Sequence, residues 1–320
     1  MDPNKSEGEG KEIKQITVES GRTAELFDMY RTSELGTLWP IDSEKFEQIL
    51  FGTNDTNNET EVFIQEEENN IQGVIALKYK KEAPEDVAII FEQVKKEDKN
   101  KGIGSELLHK VLERATELGA KNIVLGGKVG SYFWPGIPDN LDCKDFFSKQ
   151  GFEIKDGPVD MHQEITNWSA DKEIFNRIEE QGISIRFANE LDSEKILQFE
   201  KENFPNWYDS YYKRLITRKQ YEKVFLAEKN EKILAVSELW DDGCNWDMLF
   251  KGKVGGGGAL GVSEENQGLG IGLAMKAWGT QKLKERGIQN VWIGWTYAVG
   301  LYEKLGFIVW RKFSKATKKL

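Results

Sequence analysis

One pattern of hydrophobic and polar residues occurs twice along the chain. In each half, apolar residues at helical spacing predict a helix, and two apolar runs that follow it predict strands. The predicted helix and strands are residues 24–31, 61–65 and 71–79 in the first half and residues 193–203, 223–228 and 232–240 in the second. The shared order predicts two modules of one kind.

Each half continues with an apolar strand, a glycine-rich turn and a helix. The strands are predicted at residues 87–94 and 259–262. Before the second strand lies the glycine run 255–258, which either leaves room beside the strand for a ligand or another backbone, or forms a flexible hairpin return. The apolar positions of the first helix recur at helical spacing: Ile103, Leu107, Leu108, Val111, Leu112 and Ala115.

The two turn-helix segments align without a gap at a constant offset of 168 residues. Their shared glycines are Gly102, Gly104, Gly119 and Gly126 in the first copy and Gly270, Gly272, Gly287 and Gly294 in the second. Both copies close on a Gly-Phe pair, which the first copy reaches 13 residues later because of an insertion within 128–142. We therefore predict a disordered leader at 1–12, a first module at 13–168 and a second module at 180–320.

Composition and charge exclude several classes of protein. The 320 residues, 39% hydrophobic, suffice for two domains. A net charge of −10 argues against nucleic-acid binding, because phosphate contacts need clustered Lys and Arg. Cys143 and Cys244 lie far apart without metal-ligand spacing, so neither a disulfide framework nor a metal site is expected. Without a signal peptide or an apolar stretch of about 20 residues, the protein is expected to be cytoplasmic and independent of membranes.

The glycine-rich turns suit an anion. The first amides of a helix lack intrahelical partners and lie at the positive end of its dipole, and glycine lets a ligand approach the backbone closely. A pyrophosphate fits such a site. The chain contains no GxxxxGKS or GxxxxGKT motif, and neither following strand, NIVLGG nor NVWIGW, ends in the acidic residue of a dinucleotide-binding site. One isolated turn could equally be structural, but two copies with the same ending favour a binding site.

The second turn resembles the acyl-CoA-binding segment of the GNAT N-acetyltransferase superfamily. Residues 267–272, QGLGIG, match its Q/R-x-x-G-x-G/A turn, and residues 301–307, LYEKLGF, match its closing LYxxxGF segment. The resemblance implies an α/β (α+β) fold of two tandem GNAT modules, each a mixed, splayed β-sheet flanked by helices. It also implies acetyl-CoA as acyl donor, with its pantetheine arm on the strand and its pyrophosphate at the turn. The residues it assigns to this site are Leu260, Gly261, Val262, Gln267, Gly268, Leu269, Gly270, Ile271 and Gly272.

The family's catalytic acid indicates that the second module is the active one. Acyl transfer to an amine needs an acid that protonates the departing thiolate, and in the family this acid is the tyrosine of the closing segment. The second half has Tyr302 there, with Tyr297 as the alternate acid, whereas the first half has Phe147, which has no proton to donate. Packing in the core and exposure at the surface are the respective alternatives for the two tyrosines. A possible second acyl-CoA site in the first half comprises Gln93, Val94, Lys99, Gly102, Ile103 and Gly104.

The general base is less well determined. The glycine strand offers no side chain that could accept a proton, so the base is expected among neighbouring carboxylates, with Glu238 and Asp241 the main candidates. These residues, like Asp242 and Asp247 beside them, could equally be solvated hairpin charges. In the first half Glu92 lies on the strand before the turn, as a remnant or as the base of a first-half site.

The insertion suggests an acceptor. Residues 131–140, SYFWPGIPDN, combine aromatic residues with prolines, which gives either a rigid surface for a sugar face or a flap that packs on the core. FWPGIP resembles a segment of GNAT modules of amino-sugar metabolism, and the two-module layout resembles bacterial glucosamine N-acetyltransferases. That resemblance implies a substrate site lined by Tyr132, Phe133, Trp134 and Asp139.

The sequence therefore predicts an acetyl-CoA-dependent N-acetyltransferase that acts on a small amine, with glucosamine the favoured acceptor, by direct transfer in a ternary complex. An acetyltransferase for protein, peptide or aminoglycoside amines and a CoA-binding sensor without activity are the alternatives. Because the aromatic loop and the intact acid lie in different halves, either the loop serves the second-half site or the first half has a site of its own. The oligomeric state is not defined by the sequence.

Overall fold

The computed structural model describes residues 12–53, 55, 57–82, 84–127 and 133–320. The chain divides into two compact units. Unit 1 runs to Pro158 and also takes in Arg311–Leu320, and unit 2 spans Val159–Trp310. None of the described helices is both long enough and apolar enough to cross a membrane.

Strands and helices follow the order that the sequence predicts. The described strands are β1 (Glu12–Ile16), β2 (Asn58–Glu67), β3 (Asn70–Lys80), β4 (Asp86–Val94), β5 (Asn122–Leu125), β6 (Ile137–Pro138), β7 (Glu153–Glu164), β8 (Ser184–Phe187), β9 (Val224–Lys229), β10 (Lys232–Trp240), β11 (Val254–Val262), β12 (Asn290–Thr296) and β13 (Ile308–Lys319). The described α-helices are α1 (Thr23–Arg31), α2 (Glu34–Leu38), α3 (Ser43–Phe51), α4 (Ile103–Glu117), α5 (Lys144–Lys149), α6 (Lys172–Glu179), α7 (Ser193–Asn203), α8 (Tyr208–Tyr212), α9 (Ile271–Glu285) and α10 (Val299–Glu303). The glycine run 255–258 lies inside β11, so it is part of a strand.

Unit 1 is a mixed sheet in the order β1-β2-β3-β4-β5, with the end of β13 beside β5. β4 and β5 are parallel, and the other neighbouring pairs are antiparallel. Helix α4 buries the apolar stripe that the sequence predicts, and only Leu112 of that stripe stays partly buried. The leader was predicted to end at residue 12, but Glu12 begins β1, and residues 1–11 lie outside the described part of the chain.

Unit 2 is a second mixed sheet, in the order β8-β9-β10-β11-β12 followed by residues 159–164 of β7. Here β11 and β12 form the parallel pair. Alternate residues of β9 face opposite sides of the sheet: Leu226 packs in a cluster with α7 and α8, and Phe225 packs in a cluster with α9. Each unit is thus a mixed sheet flanked by helices, as predicted.

Each sheet is completed by a strand from the other half of the repeat. β13 enters unit 1 at Arg311, and its residues 317–319 pair with β5. β7 enters unit 2 at Val159 and pairs with β12. The predicted modules, 13–168 and 180–320, describe the repeat and stay a prediction. The compact units differ from them at these strands because the hydrophobic pattern of a strand does not specify its pairing partner.

Candidate active site

The glycine-rich turn of unit 2 leads directly into α9. Gly268 and Gly270 have φ values of 81° and 93°, in the left-handed region that glycine adopts without strain. The first bond inside the helix is donated by the Ala274 amide to the Gly270 carbonyl at 3.1 Å. The amides just before Ala274 therefore lack intrahelical acceptors, and the helix end has the features of an anion site. The turn residues assigned from the resemblance, Gln267, Gly268, Leu269, Gly270, Ile271 and Gly272, form this segment.

The strand before the turn separates from its parallel neighbour. β11 and β12 are paired from Val254↔Asn290 to Gly256↔Trp292, and β11 then continues to Val262. The pairing of β11 with β10 contains a bulge, which lies between the pairs formed by Val236 and Glu238 of β10. Residues 257–262, which include the predicted Leu260, Gly261 and Val262, therefore border a gap in the sheet instead of β12. This is the splayed sheet that the resemblance implies.

A cavity of about 10 Å³ lies beside the gap, large enough for about one water molecule. Three residues predicted for the site line it: Glu238 on β10, Leu260 on β11 and Tyr302 on α10. Ser237 and Lys276, which the sequence analysis did not select, line it as well. The candidate acid, the candidate base and the strand predicted to bind pantetheine are thus brought together around one small space.

Tyr302 has the environment of a proton donor. Its side chain is 8% exposed, its hydroxyl is hydrogen-bonded to the Thr296 side chain, and its ring lies 5.9 Å from that of Phe307. Burial raises the pKa of Tyr302, although the Thr296 hydrogen bond opposes that effect. A raised pKa keeps the hydroxyl protonated at neutral pH, which is the state that can protonate a thiolate.

Lys276 is a buried lysine next to Tyr302. Its side-chain amine lies 5.6 Å from the centre of the Tyr302 ring and 5.4 Å from that of Phe307. Burial lowers the pKa of Lys276 to about 7, and no charge or hydrogen bond among the described residues offsets this effect. The sequence contained one signal that could have identified it: a lysine occupies the stripe of α9 that also buries Ala274, Met275 and Thr280.

Two glutamates, Glu238 and Glu200, lie near the bulge. Glu238 accepts a hydrogen bond from Arg214 Nε at 2.8 Å. Glu200 on α7 is fully buried, and neither of its carboxylate oxygens has a hydrogen-bond partner among the described residues. Burial, and then the charge of Glu238, raise the pKa of Glu200 to about 8. Glu200 was missed by the sequence analysis, although it lies one helical turn from Ile196 on the apolar stripe of α7.

Glu200→Gln is expected to remove a pH-dependent loss of stability. A carboxyl whose pKa is raised from 4.5 to about 8 by folding contributes stability that is present below pH 4.5 and lost as the pH rises through 8. At pH 8 the variant should therefore exceed the wild type in free energy of unfolding by about 2 kcal/mol, after the cost of an unpaired buried amide. Urea unfolding at pH 5 and pH 8 measures this, with the exposed Glu194→Gln on the same helix as control. Parallel pH profiles for all three proteins would contradict the prediction.

The two other predicted catalytic residues lie apart from the cavity. Tyr297 is 62% exposed and does not line it. Asp241 accepts a hydrogen bond from Arg286 at 2.8 Å and forms an ion pair with Lys223 at 3.1 Å. Burial raises the pKa of Asp241, but these two cations outweigh that effect and lower it. The roles assigned to both residues remain predictions.

Unit 1 repeats the backbone features of this site without the tyrosine. β4 and β5 are paired as far as Ile89↔Leu125, and β4 continues to Val94 with a bulge of its own. Gly102 has a φ of 89° at the start of α4. Phe147 is 7% exposed and packs in the core of unit 1.

The residues of the possible first-half site have mixed environments. Gln93 donates a hydrogen bond to the Met29 carbonyl at 2.9 Å, Val94 packs against the core, and Lys99 precedes the turn that contains Ile103 and Gly104. A Cβ atom at Gly104 would lie 3.3 Å from the Glu92 carboxylate. Burial raises the pKa of Glu92 to about 8. A second acyl-CoA site in this unit stays a prediction.

The aromatic insertion packs into the core of unit 1. Phe133 and Trp134 are 1% and 7% exposed, and the rings of Phe91 and Phe133 lie 5.3 Å apart. Asp139 forms an ion pair with Lys144 at 2.7 Å and accepts a hydrogen bond from the Ser314 hydroxyl at 2.8 Å. This is the arrangement that the packing alternative expects. Tyr132 lies outside the described residues, and a substrate role for the four residues stays a prediction.

Known proteins share the architecture of both units. The chain is similar to a GCN5-related glucosamine N-acetyltransferase region of a fungal multi-domain GH3 β-N-acetylglucosaminidase, with a TM-score of 0.84, 22% identity, and coverage of 99% of this chain and 39% of that chain. It is similar to a tandem GNAT protein from the clavulanic acid biosynthesis pathway, with a TM-score of 0.64, 12% identity, and coverage of 97% and 98%. A GCN5-related N-acetyltransferase from Sphaerobacter thermophilus has a TM-score of 0.65, 15% identity, and coverage of 97% and 95%. At these identities the similarity concerns the fold.

The family of the chain is shown by a sequence match to a family model. No curated protein matches the chain in sequence. The model of the acetyltransferase (GNAT) family matches residues 23–152 and again residues 188–307. Both matched segments contain the strand, glycine-rich turn and helix described above. The chain belongs to the acetyltransferase (GNAT) family, with two modules in tandem.

Proposed function

We propose that this protein transfers an acetyl group from acetyl-CoA to a small amine, and that the reaction takes place in unit 2. One observation carries the proposal: the buried side chain of Tyr302 lines a small cavity at the gap between β11 and β12. β11 is the strand that leads into the glycine-rich turn. The turn suits the pyrophosphate of acetyl-CoA, and the gap suits its pantetheine arm. Unit 1 has Phe147 at the corresponding place and lacks this acid.

The proposed reaction is a direct transfer in a ternary complex. The amine nitrogen attacks the thioester carbonyl, the carbon–sulfur bond breaks, and the Tyr302 hydroxyl donates its proton to the departing thiolate. Unpaired amides of β11 can stabilise the negative charge that develops on the carbonyl oxygen. The amine must lose a proton, and Glu238 is the carboxylate at the cavity that we assign to accept it.

We propose an amino sugar such as glucosamine as the acceptor. The FWPGIP segment resembles modules of amino-sugar metabolism, and the fungal region of similar fold is described as a glucosamine N-acetyltransferase. The resemblance concerns the sequence of the segment, in which the buried Phe133 and Trp134 serve packing.

A thiol-release assay tests this function. The purified protein, acetyl-CoA and a thiol reagent are combined with glucosamine, an aminoglycoside, a peptide amine and no amine. We expect thiol release with glucosamine well above the background without amine, and formation of N-acetylglucosamine by mass spectrometry. Thiol release only with the peptide or the aminoglycoside would show that the acceptor is not glucosamine, but it would support the proposed acetyl transfer. CoA binding without release for any amine would contradict the enzymatic function and favour a CoA sensor.

A further inference from the structure

Helix α6 lies against the glycine-rich turn of unit 2. Its apolar side, with Ile174, Phe175 and Ile178, packs on the core that contains α9. From its polar side, Arg177 donates a hydrogen bond to the Gly268 carbonyl at 3.0 Å. Just beyond the helix, Gln181 donates one to the Leu269 carbonyl at 3.2 Å. Helix α6 lies between the two predicted modules, and outside residues 188–307, which the family model matches.

The two hydrogen bonds fix the orientation of the turn. They hold the carbonyl groups of Gly268 and Leu269 toward α6. An anion at a helix start is bound by amides and repelled by carbonyl oxygens, so carbonyls that are already engaged make the turn a better anion site. Side chains outside the turn therefore contribute to the geometry on which phosphate binding depends.

Charge gives Arg177 a second role. The turn of unit 1 contains Lys99 and Lys101, whereas the turn of unit 2, QGLGIG, contains no cation and follows Glu264 and Glu265. The Arg177 guanidinium supplies the missing positive charge: its Nε atom lies 3.1 Å from the position that a Cβ of Gly270 would take. The side chain is exposed, so N–H groups not used by Gly268 can reach a ligand. A guanidinium is well suited to phosphate because its planar fork donates two hydrogen bonds at once.

We propose that Arg177 is the cation that pairs with the phosphate groups of acyl-CoA at the turn of unit 2. The proposal rests on the proposed function, because it takes acyl-CoA as the ligand. It adds to the site a residue from α6, outside the repeated segment.

Donors with and without phosphate test this role. In acetyl-transfer assays, Arg177→Ala should raise KM for acetyl-CoA about tenfold or more, because it removes a charge-assisted contact. The same variant should leave kcat/KM for S-acetylpantetheine, which has no phosphate, within about twofold of the wild type. Arg177→Lys should recover part of the KM effect, and Arg177→Gln, which keeps a donor but no charge, should recover less. Lys172 is an exposed cation on the same helix, so Lys172→Ala is the matched control. It should change KM and kcat/KM for neither donor.

Binding of CoA, measured by calorimetry, separates this inference from the proposed function. If the wild type binds CoA but acetylates no amine, the function fails, and a tenfold weaker binding by Arg177→Ala still supports the role of Arg177. An equal loss of kcat/KM with both donors would show that Arg177 supports the fold of unit 2 and not phosphate binding, which would overturn the proposal. Unchanged binding of CoA by Arg177→Ala would also overturn the proposal.

Discussion

Replacing Tyr302 with phenylalanine is expected to lower kcat for acetyl transfer by about 100-fold, because general acid catalysis typically contributes 10²- to 10⁴-fold. The substitution removes the proton that is donated in the transition state and leaves the binding of acetyl-CoA intact. KM for acetyl-CoA should therefore stay within about threefold of its original value. The phenyl ring retains the packing against Phe307, and the one interaction removed is the hydrogen bond with Thr296, which costs about 1 kcal/mol of stability. Steady-state kinetics at saturating amine, together with the unfolding midpoint, measure both effects.

Tyr297→Phe is the matched comparison for this experiment. Tyr297 is 62% exposed, in the same segment of the chain as Tyr302, and the sequence names it as the alternate acid. A large loss of kcat in Tyr297→Phe with little change in Tyr302→Phe would move the acid to Tyr297. Little change in either variant would mean that the thiolate leaves without a tyrosine.

Lys276→Met is expected to stabilise the protein strongly. Folding lowers the pKa of Lys276 from 10.5 to about 7, so between these values the unfolded chain binds more protons than the folded one. The stability of the wild type therefore rises with pH from 7 to 10.5, and at pH 7 the lysine costs about 4 kcal/mol. Methionine of similar length removes that cost, so the variant should be more stable at pH 7 and lose its advantage near pH 10.5.

Urea unfolding at pH 7 and pH 9.5 checks this expectation, with Lys304→Met as the control because Lys304 is exposed. Equal stability of wild type and Lys276→Met at pH 7 would mean that water or a ligand solvates the amine in the folded state. A gain in stability accompanied by a loss of kcat would show that the enzyme keeps a destabilising charge for its activity.

The sequence predicts the order of elements and the turn because both depend on local patterns. Apolar spacing identified α7 and β10 at their observed limits, and the repeat revealed that one module occurs twice. The turn at 267–272 and Tyr302 could be selected because each occurs within a short motif of fixed spacing. The resemblance predicted the mixed, splayed sheet. The structure shows where β11 and β12 separate, which is after the pair Gly256↔Trp292.

Other parts of the site depend on packing, which the pattern does not show. Lys276 and Glu200 each lie on the apolar stripe of a helix, but the structure was needed to show that both side chains are buried. The sequence left open whether the insertion forms a surface for a sugar or packs on the core, and the structure shows Phe133 and Trp134 packed against aromatic residues of unit 1. Arg177 could not be selected from the sequence for a related reason: its hydrogen bond to Gly268 joins residues that are far apart in the chain.

The route of the closing strands also limits how such a chain can change in evolution. Residues 311–320 belong to unit 1, although they follow the whole of unit 2. A gene split between the repeats would give a first product without the strand that borders β5 and a second without the strand that borders β12. Each product would cover its sheet edge only by pairing it with the closing strand that it now supplies to the other unit, and an uncovered edge favours aggregation. Gene fission would therefore yield one-module proteins only if both closing strands changed their pairing partners.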